Sequence, residues 1–169
     1  MRSASRIGVR SYEAPEIDAA FQARALLEGL AARRAAARAT PTLVEALRAS
    51  CERYEDLGPV TQATVAAIIE ENATFHTMVV DAASSTVVAE TISKLAELPL
   101  SHRVNVGLAS GEEKRIAEHA HRQLTKAIEA RDGDWAAVLA HAHVLEQRDQ
   151  VVPYLMQRQA GETSATETR

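Results

Sequence analysis

Apolar positions recur at helical spacing over nearly the whole chain, and glycine and proline cut the pattern into segments. Pro15 suits the first turn of a helix, and Phe21, Leu26, Leu27, Leu30 and Ala31 then share its spacing to about residue 39. Thr40-Pro41 reads as an N-cap with proline at the first helical position, opening a second helix to about residue 57, where Gly58-Pro59 breaks it. The third helix is expected over residues 60–83, with Ile68, Ile69, Asn72, Phe75, His76 and Val79 on one side, and the fourth over 84–98. Residues 99–110 read either as a loop or as one short helix. Ser110 and Glu113 have capping-box spacing and start a fifth helix that reaches residue 131. After Asp132-Gly133, Asp134 is the expected cap of a last helix, which Pro153 should kink or end. Residues 1–13 are a polar, unperiodic leader, 14–158 the folded unit, and 159–169 a small, polar, disordered tail. The pattern predicts an all-α protein, an antiparallel bundle of about six helices.

Composition sharpens this picture. Of the residues, 46% are hydrophobic but only 4% aromatic, and small side chains favour close helix packing over a sheet. A length of 169 residues fits one domain with a real core. The net charge of −4 argues against a domain whose task is gripping phosphate backbone, so no nucleic acid is expected on this chain alone. Arg33, Arg34 and Arg38 make a small basic patch that reads as a solvated helix face. The single cysteine, Cys51, excludes an internal disulfide. There is no signal-peptide pattern, and apolar runs fall far short of the roughly 20 residues that span a membrane. A cytoplasmic protein is expected.

The candidate chemistry lies in four positions. Asn72 and His76 are four apart on one helix and share a face. His121 and His143 each lie eleven residues from Asp132 at the turn. In an antiparallel hairpin that puts them at one height, about 16 Å from the turn at 1.5 Å per residue. His121 shares a stripe with Ala117, Leu124 and Ile128, and His143 with Ala136, Leu139 and Ala140, so both point inward. His119 looks peripheral, and periodicity leaves His141 open. An unpartnered imidazole on an apolar stripe costs about 1–3 kcal/mol, and a shared divalent cation removes that cost. Three imidazoles and an amide oxygen suit such a cation. The alternative is a set of hydrogen-bonded core histidines. No glycine-rich phosphate loop, nucleophile elbow or H-E-x-x-H pair is present.

The run Arg24-Ala-Leu-Leu27-Glu28-Gly-Leu-Ala-Ala32 resembles the "R-x-x-L-E-x-x-A-A" opening of the FCD domain. That domain is the ligand-sensing half of FadR-type regulators in the GntR family. Asn72-x-x-Phe75-His76 matches its "D/N-x-x-F-H" motif. His121 to Ile128 with Asp132, and Ala136 to His143-Val-Leu145, resemble its two closing segments. All the motifs occur in order, over about residues 15–155.

The resemblance implies an all-α bundle whose cavity holds a divalent metal, Zn or Ni, with Asn72, His76, His121 and His143 as ligands. It further implies a small organic acid effector, with Arg24 at an effector-contacting position, and a homodimer. The blander reading of Arg24 is an exposed pair with Glu28. The chain departs from the family pattern in having Asn72 for an acidic ligand and Ser84-Ser85 for Gly-Asn. It also lacks room for a winged helix-turn-helix ahead of residue 14, so operator DNA is expected only where such a module is present. The leading expectation is a non-enzymatic sensory module. A degenerate structural or dimerisation module is the alternative, and a small metallohydrolase a more distant one, because Glu71 and Glu118 adjoin ligand positions but should point away from the site.

Overall fold

The computed structural model describes residues 13–106 and 111–167, with side chains over 13–97 and 111–157. Its described residues form six helices: α1 (Ala14–Ala37), α2 (Pro41–Asp56), α3 (Val65–Ala82), α4 (Thr86–Val106), α5 (Gly111–Glu129) and α6 (Gly133–Glu167). This is the all-α bundle that the apolar pattern predicts. The leader and the Ser110 cap lie outside the described residues.

Local chemistry sets the ends. The amide of Glu13 donates to the Glu16 carboxylate at 3.1 Å, and Pro15 sits in the first turn of α1. Thr40 caps α2 through its hydroxyl, which accepts from the Leu43 amide at 3.2 Å. Helix α3 begins five residues later than the pattern predicts. Thr61 and Thr64 exchange backbone-to-hydroxyl hydrogen bonds (2.9 and 3.2 Å), and the Thr64 hydroxyl donates to the Pro59 carbonyl at 2.7 Å. That closed turn competes with helix for the same backbone groups.

Two prolines do not act as stops. Helix α4 runs through Pro99 to Val106, so most of the stretch left open between loop and short helix is helical. Helix α6 runs through Pro153 to Glu167, past the start of the expected tail. A proline removes one helical hydrogen bond, and both Pro153 and Asp149, whose carbonyl it frees, are on the exposed side, open to solvent. The cap of α6 is Asp132 rather than Asp134. Asp132 Oδ1 accepts from the Trp135 amide at 2.9 Å, whereas Asp134 is exposed and pairs with Arg33 at 2.8 Å.

Helix α1 is the hub. It packs most extensively along α6 and also touches α3, α4 and α5. Its alanines make this possible: Ala25, Ala31, Ala32, Ala35 and Ala36 are all fully buried. At Gly29 a Cβ would stand 3.0 Å from the Ala137 carbonyl oxygen, so α1 and α6 approach backbone to backbone. The pairs Gly29–Ala137 and Arg33–Asp134 run in opposite directions along the two helices, which are therefore antiparallel. Arg48–Glu129 and Arg122–Glu55 show the same for α2 and α5.

Arg33 and Arg38 of the basic patch are exposed, as a solvated face requires, but Arg34 is half-buried and ties two helices together. Arg34 Nε donates to the Ala83 carbonyl at 2.9 Å and its Nη2 to Ser84 at 3.4 Å, closing the end of α3. Ser84 itself adopts φ 51°, where glycine is favoured. Because Ser84 is exposed, Ser84→Gly is expected to stabilise the protein by about 0.5–1 kcal/mol. A rise in the urea midpoint at unchanged m-value checks it; a fall would show that the serine side chain supports the turn.

One cluster of apolar side chains surrounds Leu47, Phe75, Val79, Leu124 and Ile128; a second surrounds Ile17, Phe21, Val144, Val151 and Leu155. On α1 Glu28 lies between the two clusters with Arg24 one turn before it at the edge of the second, and on α6 His143 lies between them with Gln147 one turn further on. A polar layer thus crosses the bundle between two apolar ones. Among the described residues, no helix is long and apolar enough to cross a membrane.

Candidate metal centre

The layer contains all three predicted histidines. His76 on α3, His121 on α5 and His143 on α6 each offer a ring nitrogen, and these atoms lie within 4.8 Å of one another. Ring centroids are 5.3 Å apart for His76–His121 and 5.1 Å for the other two pairs. The Nε2 atoms of His76 and His143 face each other at 3.2 Å. Two imidazoles on one tetrahedral cation, at about 2.0–2.1 Å each, hold their nitrogens at about that separation.

His121 is the most telling member. It is fully buried, stacked on Phe75 (4.0 Å between centroids, 15° between planes) and tilted against Tyr54 at 5.4 Å. Neither ring nitrogen has a hydrogen-bond partner. Burial, reinforced by the neighbouring His143 and His76, pushes its pKa well below the ordinary 6.5, so the ring is held neutral with a lone pair free for coordination. Leaving a buried polar group unsatisfied costs about 1–3 kcal/mol. A cation among the three nitrogens satisfies that need, so the residues present fit a metal.

Two residues that sequence reasoning passed over complete the layer. The i,i+4 spacing implies an exposed Arg24–Glu28 pair, but both side chains are buried, Glu28 at 5% and Arg24 at 4% exposure. Arg24 donates from Nε (3.0 Å) and Nη2 (2.7 Å) to Glu28 Oε1, while Glu28 Oε2 lies 3.2 Å from His76 Nδ1. Burial alone would raise the Glu28 pKa. The Arg24 charge, the His76 contact and the Arg24 hydrogen bonds together overcome that and hold it far below the carboxylate range. The signal was available: Arg24 and Glu28 share their spacing with Phe21, Ala31, Ala32 and Ala35 on the buried stripe of α1. Gln147, one turn beyond His143, places Nε2 3.0 Å from His143 Nε2.

The other sequence candidates fall as follows. Asn72 is half-buried on α3, one turn before His76, and its amide makes no hydrogen bond among the described residues. Arg24 does not reach the histidines directly; its Nη1 is buried without a partner. His119 is exposed, and His141 packs against α1 with its Cβ 3.7 Å from where a Gly29 Cβ would lie. Glu71 is engaged on α2, by Arg53 at 2.9 Å and the Ser50 hydroxyl at 2.6 Å, and Glu118 by Lys114.

A pH dependence follows from His121. Its folded pKa is depressed, so its contribution is complete above the unfolded value near 6.5 and is lost as pH falls below it, when the unfolded state takes up the proton first. Glu28 also favours folding above its ordinary value of 4.5, so it changes little between pH 7.5 and 5.5, the window in which the His121 component acts. In chelator, the His121 component of urea stability is expected to fall across that window with a limiting slope of about 1.4 kcal/mol per pH unit for its one proton. His121→Leu should remove that component; an unchanged slope would reject the assignment.

Comparison with curated proteins returns no match. The family model described as "FCD domain" matches residues 19–146, which contain every residue of the polar layer but the final Gln147. With most of its length matched, and with the helical bundle that the motifs imply, this chain belongs to the FCD domain family.

Proposed function

We propose that the chain is the effector-sensing and dimerisation module of a GntR/FadR-type transcriptional regulator, working in the cytoplasm. His76, His121 and His143 hold a divalent cation, Zn or Ni, with the Asn72 amide oxygen as the fourth protein ligand. The observation that carries the reading is the buried three-histidine layer in which both His121 nitrogens lack a partner. Such a cation supplies a positive anchor for an anionic group.

Charge favours an acid as effector. The imidazoles and Asn72 are neutral ligands, and the Glu28 carboxylate is matched by Arg24. Among the described residues the other nearby carboxylate is Glu146, 4.0 Å from His143 Nδ1 but about half exposed. Two positive charges in the layer are thus largely unmatched, and charge buried without a counter-ion is costly. A small organic acid offsets them, and the free Arg24 Nη1 offers a second contact. Differential affinity for one arrangement of the helices would then shift the whole module. Exposed Leu26 and Leu30 on α1 and Val138 on the adjoining α6 are among the apolar side chains available to a homodimer. Glu71 and Glu118, the bases a hydrolase would need, are occupied elsewhere, which favours sensing over turnover.

Elemental mass spectrometry of untagged protein tests the reading. About one Zn or Ni per chain is expected for wild type and none for His76→Ala. If neither retains metal, even after reconstitution, the sensor reading gives way to a structural or dimerisation module. Carboxylates are then screened by thermal shift on the loaded protein.

A further inference from the structure

Glu28 has two oxygens with different duties. Oε1 accepts both Arg24 hydrogen bonds, at 3.0 and 2.7 Å, which fixes the plane of the carboxylate. The other, Oε2, is 3.2 Å from His76 Nδ1 on a different helix. A plain buried ion pair between neighbours on α1 would need no such third member. The guanidinium is itself fixed, with Cζ 5.4 Å from the Phe21 ring centroid.

A neutral imidazole carries one proton, on Nδ1 or Nε2, and an acceptor on one side selects the tautomer. A carboxylate at Nδ1 selects Nδ1–H. The lone pair then sits on Nε2, the nitrogen that faces His143 Nε2 at 3.2 Å. His121 has no such selector, since both its nitrogens lack partners. We propose that Glu28, held by Arg24, is a positioning residue that fixes the tautomer and ring direction of His76 so that its Nε2 lone pair faces the three-histidine cluster. Glu28 is not itself a ligand, because its oxygens are on the far side of the ring. The consequence for metal affinity rests on the cation reading above; the tautomer does not.

The test therefore has two arms. In metal-free wild type at pH 8, above the ordinary imidazole range, long-range nitrogen–proton spectra should show His76 protonated at Nδ1 and bare at Nε2. The double variant Arg24→Met/Glu28→Leu replaces the buried pair by apolar groups of similar size, a change that buried pairs tolerate. It should lose the tautomer preference, and its affinity for Zn(II) alone should fall about 10–100-fold, the usual effect of losing such an outer partner. Far-UV circular dichroism checks its fold. An Nε2–H tautomer in wild type overturns the proposal without any variant. So does a folded double variant with tautomer and affinity unchanged. If wild type binds no zinc, the metal reading fails, and the tautomer comparison alone supports or overturns the role of Glu28.

Discussion

Zinc added to metal-free protein is expected to raise its unfolding free energy by about 2.7 kcal/mol when free metal reaches a hundredfold excess over Kd, and His121→Leu is expected to lose that gain. On the proposed reading a cation would bind only the folded layer, where three ring nitrogens converge within 4.8 Å, because the unfolded chain has no such arrangement. The same substitution should act oppositely without metal. His121 is fully buried with both nitrogens unpartnered, so a leucine of similar size on the Phe75 ring removes a penalty of about 1–3 kcal/mol. A variant more stable than wild type in chelator and less stable in zinc marks a residue kept for binding and not for folding. Urea unfolding in both conditions at pH 7.5 measures it. A zinc response equal to that of wild type would sink the ligand assignment.

Arg24→Ala is expected to destabilise the protein by about 3–5 kcal/mol, the usual cost of breaking a buried ion pair, and so to lower its melting temperature by roughly 6–20 °C. Glu28 is about 5% exposed and would lose both guanidinium hydrogen bonds, leaving only the His76 contact to offset its burial. The double variant Arg24→Met/Glu28→Leu should fall within about 1 kcal/mol of wild type, because removing both charges leaves nothing to desolvate. The contrast separates a buried pair from the surface pair that i,i+4 spacing alone implies, where Arg24→Ala would cost a few tenths of a kcal/mol. Calorimetry of the single and double variants decides between them.

Backbone arithmetic carried the histidines far. His121 and His143 stand equally far from the Asp132 turn, which predicts equal height, and their apolar stripes predict that both face inward; the structure brings their rings to 5.1 Å. Apolar spacing also separated them correctly from exposed His119. Two of the departures, at element ends, share a cause. Val60 to Thr64 were read into α3 because spacing does not register hydroxyls competing for the backbone. Asp134 was preferred to Asp132 as a cap for the same reason: both are acceptors near the turn, and only the folded geometry brings the Trp135 amide to one of them.

By itself, the sequence determined the helices, their order and which residues share a face, because these follow from local spacing, caps and turns. Only the tertiary structure decided how many faces of each helix are covered. Helix α1, rich in alanine, is enclosed by α3, α4, α5 and α6, so it has little of the solvent side on which Arg24 and Glu28 were placed. Burial turns that pair into the support of His76, since a charge away from water must find partners across helices. Spacing along one helix says nothing about those partners.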